Sequence, residues 1–249
     1  MADLSFILIE GKNPPSISRV IANAKALGIP LVPSPDETTR EPNLLSFDLP
    51  GSGHLLVMRM PIPHPDAPGM PVGATSPSPD EIATCREHLL VTAVGLTGSA
   101  RERDVRMAVL TAAVVRSCDA VGAMLAHGVL FHKAGLFADL AEAAASAGAL
   151  PIEIAVDVTA AREPGDRVSF LTHGMQRYDR EELFVTCPER GRGALGFVYG
   201  MTRWLLTDTE KVLPTGDTVG RSAEEKILVQ RVPSPIGEGP SVIRLDLES

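Results

Sequence analysis

The sequence predicts an α+β fold, with mixed sheets packed against helices around a central strand–helix–strand unit. Three observations predict it. β-rich runs and helical periods both recur along the 249 residues, but without strict alternation, which disfavours a doubly wound sheet. Leu89 to Gly95, the stretch after Ser99, and Ala120 to Leu125 read in turn as strand, crossover helix and strand. Hydrophobic residues make up 44% of the chain but aromatic residues only 4%, so the core is built mainly from Val, Leu, Ile and Ala.

Taken in order, Leu4 to Glu10 reads as a buried strand. Pro14-Pro15-Ser16 opens a helix with Ile17, Val20, Ile21, Ala24 and Leu27 on one face, stopped by Gly28 and Pro30. Leu44 to Leu49 and His54 to Met60 read as strands. Between Pro61 and Pro79 there are seven prolines and almost no periodicity. That segment is expected to be a connector, with a binding loop as the other reading. The predicted organisation is an N-terminal subregion over 1–60, a connector over 61–80 and a main domain over 81–249, or one continuous domain.

Ser99 stands three residues before Glu102, a capping-box spacing. The helix it opens carries Val105, Ala108, Val109, Ala112 and Val115 on one face, widened by Leu110 and Val114, so heavy burial is expected. If the flanking strands are parallel, the unit is a right-handed βαβ crossover. Ala134 to Ala147 reads as a helix ended by Gly148. Ile152 to Thr159 alternates apolar and acidic residues and reads as a strand, and Val168 to His173 is its hairpin partner. Leu183 to Cys187 is a short strand, Ala194 to Leu206 a helix, and Ile227 to Val232 and Val242 to Leu247 the last strands.

The formal net charge is −8. Phosphate recognition needs a basic face, so a nucleic-acid partner is disfavoured and a basic protein partner favoured. Met1-Ala2-Asp3 offers no positive n-region, and Phe6 to Ile9 is too short for a signal h-region or a membrane span. Cys85, Cys118 and Cys187 are odd in number and widely spaced, which fits a reducing compartment. The expectation is a cytoplasmic protein without membrane attachment.

No motif declares a chemistry. Gly191-Arg192-Gly193-Ala194-Leu195-Gly196 fits G-x-G-x-x-G, but three residues separate it from the preceding strand, where a dinucleotide site needs a tight turn. His127 and His132 lie five apart, a spacing that puts the rings on opposite faces of a strand and argues against joint metal ligation. A thiol–imidazole pair would need Cys85 or Cys118 beside His88 or His173 in space. Thr215-Gly216-Asp217-Thr218 signals a turn. Asp36, Glu37, Asp139, Glu142, Glu153 and Asp157 are candidates for a negative face. No catalytic, cofactor-binding or metal-ligating residue is assigned. The candidates for partner contact are Asp36, Glu37, His127, His132, Asp157, His173, Tyr178 and Asp217.

A succession of segments carries a resemblance. It runs through Met60-Pro61-Ile62-Pro63, His88-Leu89-Leu90-Val91, the strand Ala120 to Leu125 with His127-Gly128 after it, and Leu150-Pro151. It continues with Thr172-His173-Gly174-Met175, Glu181-Glu182-Leu183, and Pro214 through Gly220. In order and spacing, from His54 to Leu247, this resembles the bacterial domain-of-unknown-function family numbered 4261. The resemblance implies no reaction. By analogy with other small acidic bacterial families, it implies an immunity-type or secretion-linked accessory protein.

Three functions follow as expectations. The first is a non-catalytic protein-binding module that neutralises a bacterial toxin. The second is a hydrolase-type enzyme with a His/acid site around His127, His132 or His173. The third is a homo-oligomeric assembly protein whose Ala-rich helices form the interface.

Overall fold

A strand with apolar side chains on both faces needs cover on both, and β1 (Ala2–Ile9) is such a strand. Ser5, Ile7 and Ile9 project to one side; Phe6 and Leu8 project to the other. The computed structural model describes residues 2–34, 43–51, 53–189, 193–208, 210–237 and 239–248. It is an α+β fold whose chain divides into two units, Met1–Ala155 and Val156–Ser249.

The first unit continues with α1 (Ile17–Ala26), β2 (Val32–Pro33), β3 (Leu44–Leu49), β4 (Gly53–Met60), α2 (Pro79–Thr84), β5 (Glu87–Val94) and α3 (Ala100–Val115). It closes with β6 (Ala120–Leu125), β7 (His132–Lys133), α4 (Ala134–Ala147) and the single turn α5 (Ile152–Ala155). Its strands form one sheet in the order β2-β3-β4-β5-β1-β6-β7. β1 is antiparallel to β5 on one side and to β6 on the other. β5 and β6 are therefore parallel, as the crossover reading requires, with β1 inserted between them.

The Ser99 capping box forms: its side chain accepts from the Glu102 amide, and the Glu102 carboxylate accepts from the Ser99 amide at 2.7 Å. Every residue of α3 from Met107 to Val115 is buried. The cause is packing on several sides, since α3 touches α1, α4, β1 and β6. Its one buried hydroxyl, that of Thr111, donates to the Met107 carbonyl at 2.7 Å and shares a 2.7 Å bond with Ser5.

α3 and α4 pack on the Ser5–Ile7 side of the sheet, and α1 packs against α3. The other face is covered by the proline-rich stretch and α2. Leu8, Met124 and Phe131 pack there with Ala67 and Cys85, and Phe6, Met70 and Ile82 lie against that cluster. The segment expected as a connector is thus a strap lying across the sheet, and strands on both of its sides pair with one another, as β4 does with β5. Its composition suits the position. Proline has no N–H, so an irregular chain rich in proline can cross an apolar face with few donors left over.

The second unit holds β8 (Asp157–Glu163), β9 (Arg167–His173), β10 (Leu183–Pro188), α6 (Ala194–Thr207), β11 (Thr218–Val219), β12 (Ile227–Leu228), β13 (Gln230–Val232) and β14 (Val242–Asp246). Its main sheet runs β13-β14-β10-β9-β8, with β10 and β14 parallel, and β11 pairs with β12. The strand expected over 152–159 is corrected here. Ile152–Ala155 is helical, its Ile154 and Ala155 amides bonding the Pro151 carbonyl at 3.1 and 2.9 Å. Pro151 stands at the N-cap of this turn, where its missing N–H leaves no intrahelical bond unmade, and the strand begins only at Asp157. Among the described residues, no helix is long and apolar enough to cross a membrane.

Candidate functional site

The strap does not seal the sheet face. Between it and the turn after β6 lies an open cleft of about 640 Å³. β1 contributes Phe6 to its floor and β6 contributes Met124. The strap supplies one wall through His64, Pro65, Asp66, Gly69, Met70 and Pro71; Ala126, Gly128 and Val129 form the opposite wall. The lining is apolar, with two flexible thioethers, one imidazole and one carboxylate. Methionine adapts to the shape of what it meets, and a few polar groups in an apolar hollow set orientation.

His64 is the polar centre of this cleft and is 8% exposed. Its ring meets those of Phe6, His88 and Phe131 edge to face, with centroids 4.9, 5.0 and 5.4 Å away. Its Nδ1 accepts from the Asp66 amide at 3.3 Å. A neutral ring that accepts at Nδ1 carries its proton on Nε2. Burial, and then the neighbouring His88, hold His64 below the usual histidine range against the pull of Asp66. Behind it, His88 donates from Nδ1 to the Ile62 carbonyl at 2.9 Å.

The residues expected to contact a partner are dispersed. Asp36 and Glu37 lie outside the described residues. His132 and Asp157 are each 1% exposed, too buried to meet a partner, and this corrects their place on any contact face. His132 Nδ1 lies 2.8 Å from the Thr75 hydroxyl. His127 donates from Nε2 to the Ala155 carbonyl at 3.2 Å. In the second unit, Asp157 and His173 are brought together as cross-strand partners of β8 and β9. His173 Nε2 is 2.8 Å from the Thr159 hydroxyl, and burial holds its pKa below the usual value although Glu182 and Asp157 oppose this. Tyr178 ends the 3₁₀ turn Met175–Tyr178. Asp217 is exposed, in a turn whose Gly216 amide donates to Val229 at 3.0 Å.

The other motifs resolve into structure. Gly193 caps α6 in the left-handed region at φ 82°, while Gly191 and Arg192 lie outside the described residues. Asp139 and Glu142 both pair with Arg116, the latter at 3.0 Å. Burial pushes the Cys85 thiol up to about 11 and the Cys118 thiol up to about 12. Both are the reverse of an activated nucleophile. Neither thiol is bonded to an imidazole; Cys85 donates to the Glu81 carbonyl and Cys118 to that of Val114.

Sequence reasoning missed Phe6, His64, Met70 and Met124 as a group. The signal was present in β1: Phe6 and Leu8 alternate with the equally apolar Ile7 and Ile9. A strand greasy on both faces calls for a second cover, and the nearest unassigned chain was the proline-rich stretch. No protein-family model, curated protein or solved structure matches this chain.

Proposed function

We propose that the protein is a non-catalytic protein-binding module, of the immunity-type or secretion-linked accessory kind, whose cleft receives an apolar side chain flanked by basic groups. The observation that carries this is the cleft's lining. Phe6 and Met124 in the floor and Met70 and Val129 in the walls offer an adaptable apolar lining, and Asp66 stands at its exposed rim. The net charge of −8 adds attraction for a basic partner at longer range. A bacterial toxin with a basic surface is the most concrete such partner. A cytoplasmic location and the resemblance to the family numbered 4261 belong to the same reading.

The test is co-expression with the products of adjacent genes, followed by reconstitution of any complex from purified components. One basic partner is expected to bind. Met124→Glu, which places a charge in the apolar floor, should weaken it by at least about tenfold. Added salt should slow association. No binding by any neighbour, or binding untouched by Met124→Glu, overturns the proposal.

A further inference from the structure

Imidazoles hold the strap at three points along its length. At its start, His88 donates to the Ile62 carbonyl. Two residues on, His64 packs beneath it among Phe6, His88 and Phe131 and accepts the Asp66 amide. Near its end, the Thr75 hydroxyl meets His132 at 2.8 Å, and the Thr75 carbonyl accepts the Lys133 amide at 2.8 Å. The chain has six histidines, and half of them lie at this one segment.

We propose that the strap is an acid-released latch: protonation of His64 detaches it from the sheet, removes one wall of the cleft, and frees the bound partner. This rests on the binding reading above and adds its regulation.

The bond to Asp66 is the sensitive one. It needs a lone pair on Nδ1, and the imidazolium has none. On protonation, two N–H groups face each other where one donor met one acceptor. The new charge sits in a buried site, 5.0 Å from the His88 ring. β1 presents Phe6 and the segment before β7 presents Phe131, neither charged. β5 presents His88, a second base. The strap presents Asp66, the only carboxylate among the described residues, and it is exposed and screened by water.

His64 in the docked strap takes a proton less readily than a free histidine near 6.5. The released strap is therefore the form that gains protons. Docking is at full strength above the free value and is lost as pH falls below it. The His88 bond to the Ile62 carbonyl is a donation and needs no lone pair on the ring, whereas the His64 bond to the Asp66 amide needs one, so His64 is the trigger.

The experiment needs no partner. Amide exchange is followed on the isolated protein at about pH 7.5 and about pH 5, corrected for intrinsic rates, with α3 as internal reference. The Asp66 and Lys133 amides should lose protection by at least about tenfold at the lower pH while α3 holds. His64→Phe keeps a ring in the cluster but cannot titrate; it also removes the acceptor of the Asp66 amide at both pH values, so the Lys133 amide is the reporter there, and its loss should be abolished. Unchanged protection in the wild type, or the same loss in His64→Phe, overturns the latch. Ring NMR of the wild type gives a second reading that needs no variant. His64 should titrate below the free value, together with the Asp66 amide, and independent titration overturns the proposal. A strap that opens in a protein that binds no neighbour's product overturns the binding reading alone.

Discussion

Glu182 shows how much one buried carboxylate can organise. It is 7% exposed, accepts the Thr172 hydroxyl at 2.7 Å and the Gly174 amide at 2.9 Å, and takes the Gln176 amide at 3.3 Å. Thr172 in turn accepts the Leu183 amide at 2.7 Å. Glu182→Ala strands these donors, and the expected cost is about 3 kcal/mol, read as a lower urea midpoint by the fluorescence of Trp204. Glu182→Gln, which still accepts hydrogen bonds, should cost less. The cysteines allow a second check. At about pH 8 a thiol held near 11 is ionised in about one molecule in a thousand. Iodoacetamide should therefore modify Cys85 and Cys118 at least about a hundredfold more slowly in the folded protein than in urea. Rapid labelling of either folded thiol would return it to the list of candidate nucleophiles. In the sequence Glu181 and Glu182 are simply adjacent acids. The two differ in what they meet: Glu182 turns inward, while Glu181 pairs with Arg231 at 2.7 Å on the surface.

β4 begins hard against the end of β5. Gly53 sits at φ 102°, and a Cβ there would fall 1.9 Å from the Val94 carbonyl oxygen. Gly53→Ala must therefore disturb the β4–β5 ladder, and a loss of about 2 kcal/mol is expected. Gly51→Ala is the control. Gly51 is also left-handed, at φ 72°, but has nothing within 4 Å, so only backbone strain of about 1 kcal/mol applies. Thermal melts of the two variants distinguish ladder damage from strain. Elements with a long period or clear flanks were legible at both ends: β3, β6 and α4 begin and end where their patterns do. β2, β7 and β11 are two residues each, too short to show a period. Ile152–Ala155 failed for another reason. Ile-Glu-Ile-Ala fits a strand or a single helical turn equally, and Pro151 decides it. The cleft was illegible because its parts come from β1, the strap and β6, which meet only when the sheet pairs.

At the scale of the whole chain, Trp204, Tyr178 and Tyr199, the only tryptophan and tyrosines, all belong to the second unit. Their fluorescence reports that unit without interference from the first. It suits a pH test of His173, whose pKa burial lowers from the ordinary 6.5. The folded unit resists protonation there, so its stability is complete above 6.5 and declines as pH falls through that value. The urea midpoint of Trp204 emission should drop between about pH 7 and about pH 5, and His173→Gln should flatten that part of the drop. A wild-type midpoint constant across the interval would show that His173 is no more buried in effect than in the unfolded chain. The place of β1 also has a consequence for how the protein is made. Ile7 pairs with Leu89 on one side and Ala123 on the other. β1 precedes both of its neighbours in the chain and so leaves the ribosome before them, yet it cannot settle until both have been synthesised. Until then an apolar segment with two unpaired edges waits in the nascent chain, a task for a holding chaperone rather than for early local folding.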